Sequence, residues 1–299
     1  MSRTLLGITQ RNPYPRRAVH VEEHTIELDG APVFYRSAEP EPGERPAGRE
    51  EQPDPVLYLH GSPTSSDDWV QMLKRTGGIA PDLPGFGRTG KAGHLDYTLR
   101  GHADFIEWLL AELEIERVTL VAHDWGAGGG LVFAQRHPER IVKLALIDAL
   151  PLLEGFEYGR AGRMWRTAAL GELAIGSVTR WVMKRALTRA TVNQDIWTDE
   201  RLREVFDQFD QGTQRAILRL HRATGPRELV AAGLELGELD MPALALWGEQ
   251  DPWLGASWAD AYAERLPHAH AVKVPDAGHW PWLERPEAAE QLAAFVQGD

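Results

Sequence analysis

The sequence predicts an α/β protein: a mainly parallel sheet with helices on both faces and an inserted helical lid. Three observations carry this expectation. Apolar, β-branched runs of strand length alternate with helical patterns as far as Ile147, the pattern of a parallel sheet covered by crossover helices. Strand signals then stop from about Leu150 to Leu239. The alternation resumes with ALALW at 243–247. The expected division is a core of residues 1–149 and 240–299 around a helical cap of residues 150–239, lying over the carboxyl edge of the sheet, where open α/β sheets bind ligands.

Taken in order, residues 24–29 and 33–36, separated by Gly30-Ala31-Pro32, read as a short hairpin. Residues 39–54 are rich in Pro, Glu and Gly without apolar periodicity, which predicts a mobile surface loop. PVLYL at 55–59 is a buried-strand pattern running into His60-Gly61-Ser62-Pro63. A short strand follows at 79–82, and then the turn-rich LPGFGRTG. Phe105, Trp108, Leu109 and Leu113 recur at helical spacing within 99–113. The run 118–121 ends in Ala122-His123-Asp124-Trp125-Gly126, and a glycine-rich turn leads into a helix. Residues 141–147 (IVKLALI) form a parallel-sheet strand ending at Asp148. The cap reads as helices at 160–170, 173–190, 199–209 and 214–223. A helix at 257–266, a strand at 271–274 and a helix at 287–296 complete the chain.

The stretch Ala122 to Gly126 has the shape of a nucleophile elbow, in which a strained, exposed strand-to-helix turn lifts one side chain above the sheet edge. Small residues flank it because bulk there collides with a neighbouring strand or helix. The residue lifted is Asp124. A carboxylate is suited to displace a leaving group from a tetrahedral carbon, leaving an alkyl ester on the protein. An aspartate that only caps the following helix is the plainer alternative.

Composition bounds the partners. The chain has 299 residues, 43% of them hydrophobic, and a formal net charge of −12. Neither nucleic acid nor an anionic membrane surface is an expected partner, since both reward clustered Lys and Arg. Without cysteine there are no disulfides and no thiolate metal sites. No metal or cofactor is implied. The start, MSRTLLGITQRNPYPRR, lacks a charged-then-apolar signal pattern, and no run of about 18 apolar residues occurs. The expectation is a soluble, cytoplasmic monomer or homodimer acting on a small apolar substrate and water.

Four separated motifs, HGSP, AHDWG, WGEQDPW and AGHWPWLERP, resemble the α/β-hydrolase fold, and within it the epoxide hydrolases and haloalkane dehalogenases. The resemblance covers roughly Glu23 to the end and leaves the helical block weakly specified. It implies a triad of Asp124 as nucleophile, Asp251 as acid and His279 as base, with Asp148 as the alternative acid. Loop histidines such as His94, His268 and His270 carry no such role. It also implies an oxyanion hole from the backbone N–H groups of Ser62 and Trp125, in a motif with His60, Gly61 and Pro63 compatible with a cis Ser62–Pro63 bond.

Two reactions follow from the resemblance. An epoxide oxygen needs proton donors, normally two lid tyrosines; only Tyr158 is present, and LRLHR brings His221 to the second position. The plainer reading of His221 is a partly buried helix histidine. The expected reaction is therefore epoxide hydrolysis to a vicinal diol. The alternative is haloalkane dehalogenation, with the halide held by the Trp125 indole and a second donor among Trp165, Trp181 and Trp197, which otherwise serve as packing residues. Ser62 stands where one branch of the dehalogenases carries Asn. A non-catalytic receptor on the same fold is the remaining reading.

Overall fold

The computed structural model describes residues 20–39 and 54–298. The N-terminal stretch, and all of the expected loop 39–54 but its two end residues, lie outside them. In chain order the elements are β1 (Glu22–Leu28), β2 (Ala31–Ala38), β3 (Val56–Leu59), α1 (Val70–Thr76), β4 (Gly78–Pro81), α2 (Leu99–Glu112), β5 (Val118–His123), α3 (Asp124–Arg136) and β6 (Ile141–Ala149). Six helices follow: α4 (Arg160–Arg166), α5 (Leu170–Gly176), α6 (Arg180–Arg189), α7 (Asp199–Gln208), α8 (Gln211–Ala223) and α9 (Pro226–Ala232). Then come β7 (Ala243–Gly248), α10 (Ser257–Arg265), β8 (Ala269–Val274), α11 (Pro281–Glu284) and α12 (Pro286–Gln297).

The eight strands form one sheet in the order β1-β2-β4-β3-β5-β6-β7-β8. β2 pairs antiparallel with both β1 and β4, and the pairs from β4 through β3, β5, β6 and β7 to β8 are parallel. Every residue of β3, β5 and β7 is buried, as strands covered on both faces must be. The carboxyl ends of β3, β5, β6, β7 and β8 thus open on one edge of the sheet, and the helices α4 to α9 are inserted between β6 and β7.

Local chemistry sets where the elements begin and end. The β1–β2 turn is Asp29-Gly30, with φ of 48° and 75°, the two positive values of a two-residue hairpin turn; strand pairing therefore resumes at Ala31, before the residue 33 at which the second strand was expected. Thr98 caps α2 by accepting the Gly101 N–H at 3.1 Å, and the helix buries Phe105, Ile106 and Leu109. The helix expected over 173–190 is two helices. Its chain leaves α5 at Gly176, and Thr179 caps α6 by accepting the Val182 N–H at 3.3 Å, the hydroxyl giving the backbone an alternative to continuing the helix. Helices α1 and α9 carry too short an apolar pattern to be read from sequence.

Candidate active site

The residues singled out at the sheet edge converge. Asp124 is the first residue of α3, at φ 47°, a left-handed conformation that costs a non-glycine residue energy and persists only where its surroundings fix it. The turn is strained as expected but not exposed: Asp124 keeps 7% of its surface. Its Oδ2 accepts the Ser62 N–H at 3.0 Å, and the Trp125 N–H also faces the carboxylate. Two glycines make this approach possible. A Cβ on Gly61 would stand 2.6 Å from Asp124 Cβ, and one on Gly126 only 2.4 Å from the His60 carbonyl oxygen.

The loop bearing Ser62 is tied from behind. Buried His60 takes the Leu83 N–H on Nε2 at 2.9 Å, and its Nδ1 lies 2.7 Å from the Gly61 carbonyl. The Ser62–Pro63 bond is cis.

His279 lies on the loop after β8. Its Nδ1 is 2.7 Å from Asp251 Oδ2, and both side chains are fully closed to solvent. A carboxylate only accepts, so the proton is on Nδ1 and Nε2 keeps its lone pair; among the described residues no group hydrogen-bonds that atom. Asp251, in the turn after β7, also accepts the Trp253 N–H at 2.8 Å. Asp148 is the last residue but one of β6, at φ 38° and wholly buried. It accepts the Gly248 N–H at 3.2 Å and has no bond to the imidazole.

The charges are unequal. Burial pushes Asp124 up to about 6, against the pull of His279 and the two N–H groups. Burial, then the neighbouring Asp251 carboxylate, hold Asp148 well above the usual carboxylate range, so Asp148 keeps its proton. For His279, burial disfavours the imidazolium, but Asp251, Asp124 and Asp68 outweigh it and raise the group above its ordinary 6.5.

Tyr158 and His221 stand beside Trp125. The Trp125 ring lies 6.5 Å from that of Tyr158 and 4.6 Å from that of His221. The Tyr158 hydroxyl donates to the Thr224 carbonyl at 2.8 Å. His221 Nδ1 lies 2.9 Å from the Ile217 carbonyl, so the ring proton is on Nδ1 and Nε2 presents a lone pair. Burial pushes this imidazole down to about 4. Loading it with a second proton at pH 7 therefore costs about 4 kcal/mol, as much as a general acid contributes at about 10²–10⁴-fold. In this geometry His221 accepts and does not donate, the reverse of the donor role its position implied. Among the lid tryptophans, Trp165 packs edge-on against His221 at 4.9 Å, and Trp197 against Trp280 at 4.9 Å with a buried, unpartnered Nε1. Trp181 is 67% exposed and lies outside the site.

The family described as alpha/beta hydrolase fold matches residues 54–173. A haloalkane dehalogenase of Mycobacterium marinum is 31% identical over 219 residues, which span 67% of this chain and 70% of the relative. A cis-3-alkyl-4-alkyloxetan-2-one decarboxylase of Shewanella oneidensis is 30% identical over 259 residues, 77% of this chain and 78% of the relative. The chain belongs to the α/β-hydrolase family, of the epoxide hydrolase and haloalkane dehalogenase type. The solved structure of the epoxide hydrolase CorEH without ligand superposes on the hydrolase with a TM-score of 0.76 at 18% identity, covering 93% of this chain and 99% of the other; at that identity the likeness speaks for the fold.

Several residues of the hydrolase that shape the site escaped the sequence reading. Glu284, buried in the ERP turn of AGHWPWLERP, accepts N–H groups from Gly278 (3.0 Å), Val192 (2.7 Å) and Asn193 (3.0 Å); it ties the His279 loop to the helical insertion. Asp68, 1% exposed, takes the Trp280 indole N–H at 3.2 Å and the Arg201 guanidinium of α7 at 2.7 Å. His123 holds the His279 carbonyl through Nε2 at 2.8 Å. The signal for Glu284 was present, since a glutamate inside an apolar motif must find donors; nothing local marks Asp68.

Proposed function

We propose that this hydrolase is a haloalkane dehalogenase, working through an alkyl ester on Asp124. A carboxylate oxygen of Asp124 attacks the carbon bearing the halogen, and the halide leaves with the bonding electrons. His279 then takes a proton from water through Nε2, the resulting hydroxide attacks the ester carbonyl, and the alcohol departs as the carboxylate is regenerated. Asp251 holds the imidazole in the tautomer that keeps Nε2 free. The N–H groups of Ser62 and Trp125 receive the negative charge on the carbonyl oxygen. Esterification also removes the Asp124 charge that helps to raise His279, so the imidazole becomes easier to keep neutral at the step that needs a base.

One observation carries the choice of leaving group: neither polar side chain beside Trp125 has a free proton, because Tyr158 spends its proton on Thr224 and neutral His221 spends its own on Ile217. An alkoxide leaving group needs a proton; a halide needs only N–H contacts, which the Trp125 indole and a lid indole can supply. Curated relatives named haloalkane dehalogenase recur among the matches, which agrees.

Epoxide hydrolysis is the second reading, favoured by the place of Tyr158 beside Trp125: turning its hydroxyl from Thr224 gives up one hydrogen bond of about 1 kcal/mol. The test is a side-by-side assay with a bromoalkane and an aryl epoxide, joined to mass spectrometry of the His279→Ala protein. Bromide release with an alkyl adduct on Asp124 is the expected result. Diol formation without bromide release moves the assignment to the epoxide reading, and carbon dioxide from a dialkyl oxetan-2-one aligns the chain with its Shewanella relative.

A further inference from the structure

Helices α5 and α6 carry a surface unlike the rest of the molecule. Between Arg160 and Arg189 there are seven basic side chains and one acidic, Glu172, in a chain whose net charge is −12. Arg160, Arg163 and Arg166 are on α4, where Arg163 and Arg166 donate to the Tyr158 and His221 carbonyls. Arg180, Lys184, Arg185 and Arg189 are on α6, where Lys184 pairs with Asp199 at 3.4 Å. Glu172 is itself engaged by Arg222 from outside this segment, at 2.7 Å. Among the described residues Arg160, Arg185 and Arg189 form no ion pair, and all three are exposed. The same two helices hold four of the most exposed large apolar side chains: Leu173 at 72%, Trp181 at 67%, Leu170 at 47% and Val182 at 40%.

On α6 the two sets share a face. Met183 and Leu187 are its buried residues. At about 100° per residue, Trp181, Arg185 and Arg189 project from the opposite side, and the Arg185 guanidinium sits 5.6 Å from the Trp181 ring centre. Trp181 beside Arg185 on α6, with Leu170 and Leu173 exposed on the preceding helix, offers apolar side chains and cations together at the surface. That arrangement suits the boundary between lipid headgroups and acyl chains.

We infer that the α5–α6 face docks this protein on an anionic lipid surface. The net acidity of the chain argued against such a partner, but an anionic surface acts within a Debye length, so it meets the local charge and not the total. A second copy fits worse, because a two-fold contact would set this basic patch against itself. No helix among the described residues is long and apolar enough to cross a membrane, so the protein would lie on the bilayer and not in it.

The test is co-sedimentation of the full chain, at physiological salt, with vesicles of phosphatidylcholine alone or mixed with phosphatidylglycerol. Binding should be at least ~10-fold stronger on the mixed vesicles. Arg185→Gln with Arg189→Gln should weaken it by ~30-fold, two cations at about 1 kcal/mol each. Leu173→Ser with Trp181→Ser should weaken it by ~10-fold or more. Turnover of a water-soluble substrate should be unchanged in both, which separates lost docking from lost folding. The inference is overturned if the parent ignores phosphatidylglycerol, if both variants bind as the parent does, or if the parent self-associates through a contact that Leu173→Ser with Trp181→Ser dissolves.

Discussion

Asp148 and Asp251 hold their carboxyl groups within 4.8 Å of each other and of the His279 ring, yet only Asp251 bonds the imidazole. Two buried carboxylates at that range cannot both be ionised without large cost. Asp251 has the two better donors, so Asp148 carries the proton. Its place behind Asp251 is then that of a neutral donor, and an amide should replace it. Asp148→Asn should keep turnover within about 3-fold of the parent, whereas Asp251→Asn should lower ester hydrolysis by about 10³–10⁴-fold and let the Asp124 ester accumulate. Equal losses in the two variants, read by single-turnover mass spectrometry, would make Asp148 a charged member of the site.

The nucleophile is held at a cost to folding. Carrying the Asp124 carboxyl from its ordinary 3.8 to about 6 removes about 3 kcal/mol of stability once the group must ionise. A carboxyl raised in the folded state binds its proton more tightly there, so the penalty is absent below about pH 4, grows between 4 and 6, and is complete above 6. Asp124→Asn should therefore be inactive yet more stable at pH 8, by up to about 3 kcal/mol in urea unfolding, and no more stable at pH 4. The parent's turnover should fall off below about pH 6 as Asp124 takes up its proton.

Leaving-group chemistry separates the residues around Trp125. Trp125→Phe removes an N–H from a departing anion, a hydrogen bond worth about 1.5–3 kcal/mol, and should slow bromide release by about 10–100-fold. His221→Phe removes no donor to the leaving group, since its Nδ1–H is held by the Ile217 carbonyl, and should change it by less than about 3-fold. Should diol formation from an epoxide fall with Tyr158→Phe while bromide release is insensitive to Trp125→Phe, the second reading gains.

The Arg201–Asp68 pair joins α7 to the turn behind the His60–Pro63 loop. Because Asp68 is 1% exposed, Arg201→Met strands a buried carboxylate and should destabilise the fold by about 2–4 kcal/mol. Adding Asp68→Asn should recover most of that loss. A cycle of urea midpoints that adds without coupling would show that the pair is incidental.

What could be read in advance divides by range. The elbow was legible because strand, small flanking residues and helix lie in the one stretch Val118 to Arg136, and their pattern has one geometric solution. The order Asp124, Asp251, His279 came from resemblance to known motifs. The donor chemistry beside Trp125 was not legible: the tautomer of His221 is fixed by a carbonyl one turn back on α8, at Ile217, and the hydroxyl of Tyr158 by Thr224, 66 positions away. The exposure of Trp181 was hidden likewise, since an exposed and a packed tryptophan at helical spacing look alike in a string of letters. Asp148 and Asp251 were both visible as strand-end acids, but which one faces the ring depends on how far each turn carries the chain past the sheet.

The hydrogen bond from Ser62 to Asp124 Oδ2 makes the two oxygens of the nucleophile different. Oδ2 is anchored to the Ser62 N–H, and in the proposed chemistry the other oxygen forms the ester. When water attacks the carbonyl carbon, the ester oxygen leaves with the alcohol and the oxygen of water takes its place on the side chain. In the proposed chemistry the protein is thus a consumed and replenished reagent. A single turnover in water enriched in oxygen-18 should yield unlabelled alcohol and a heavier Asp124 peptide, and only the second turnover should pass the label to product.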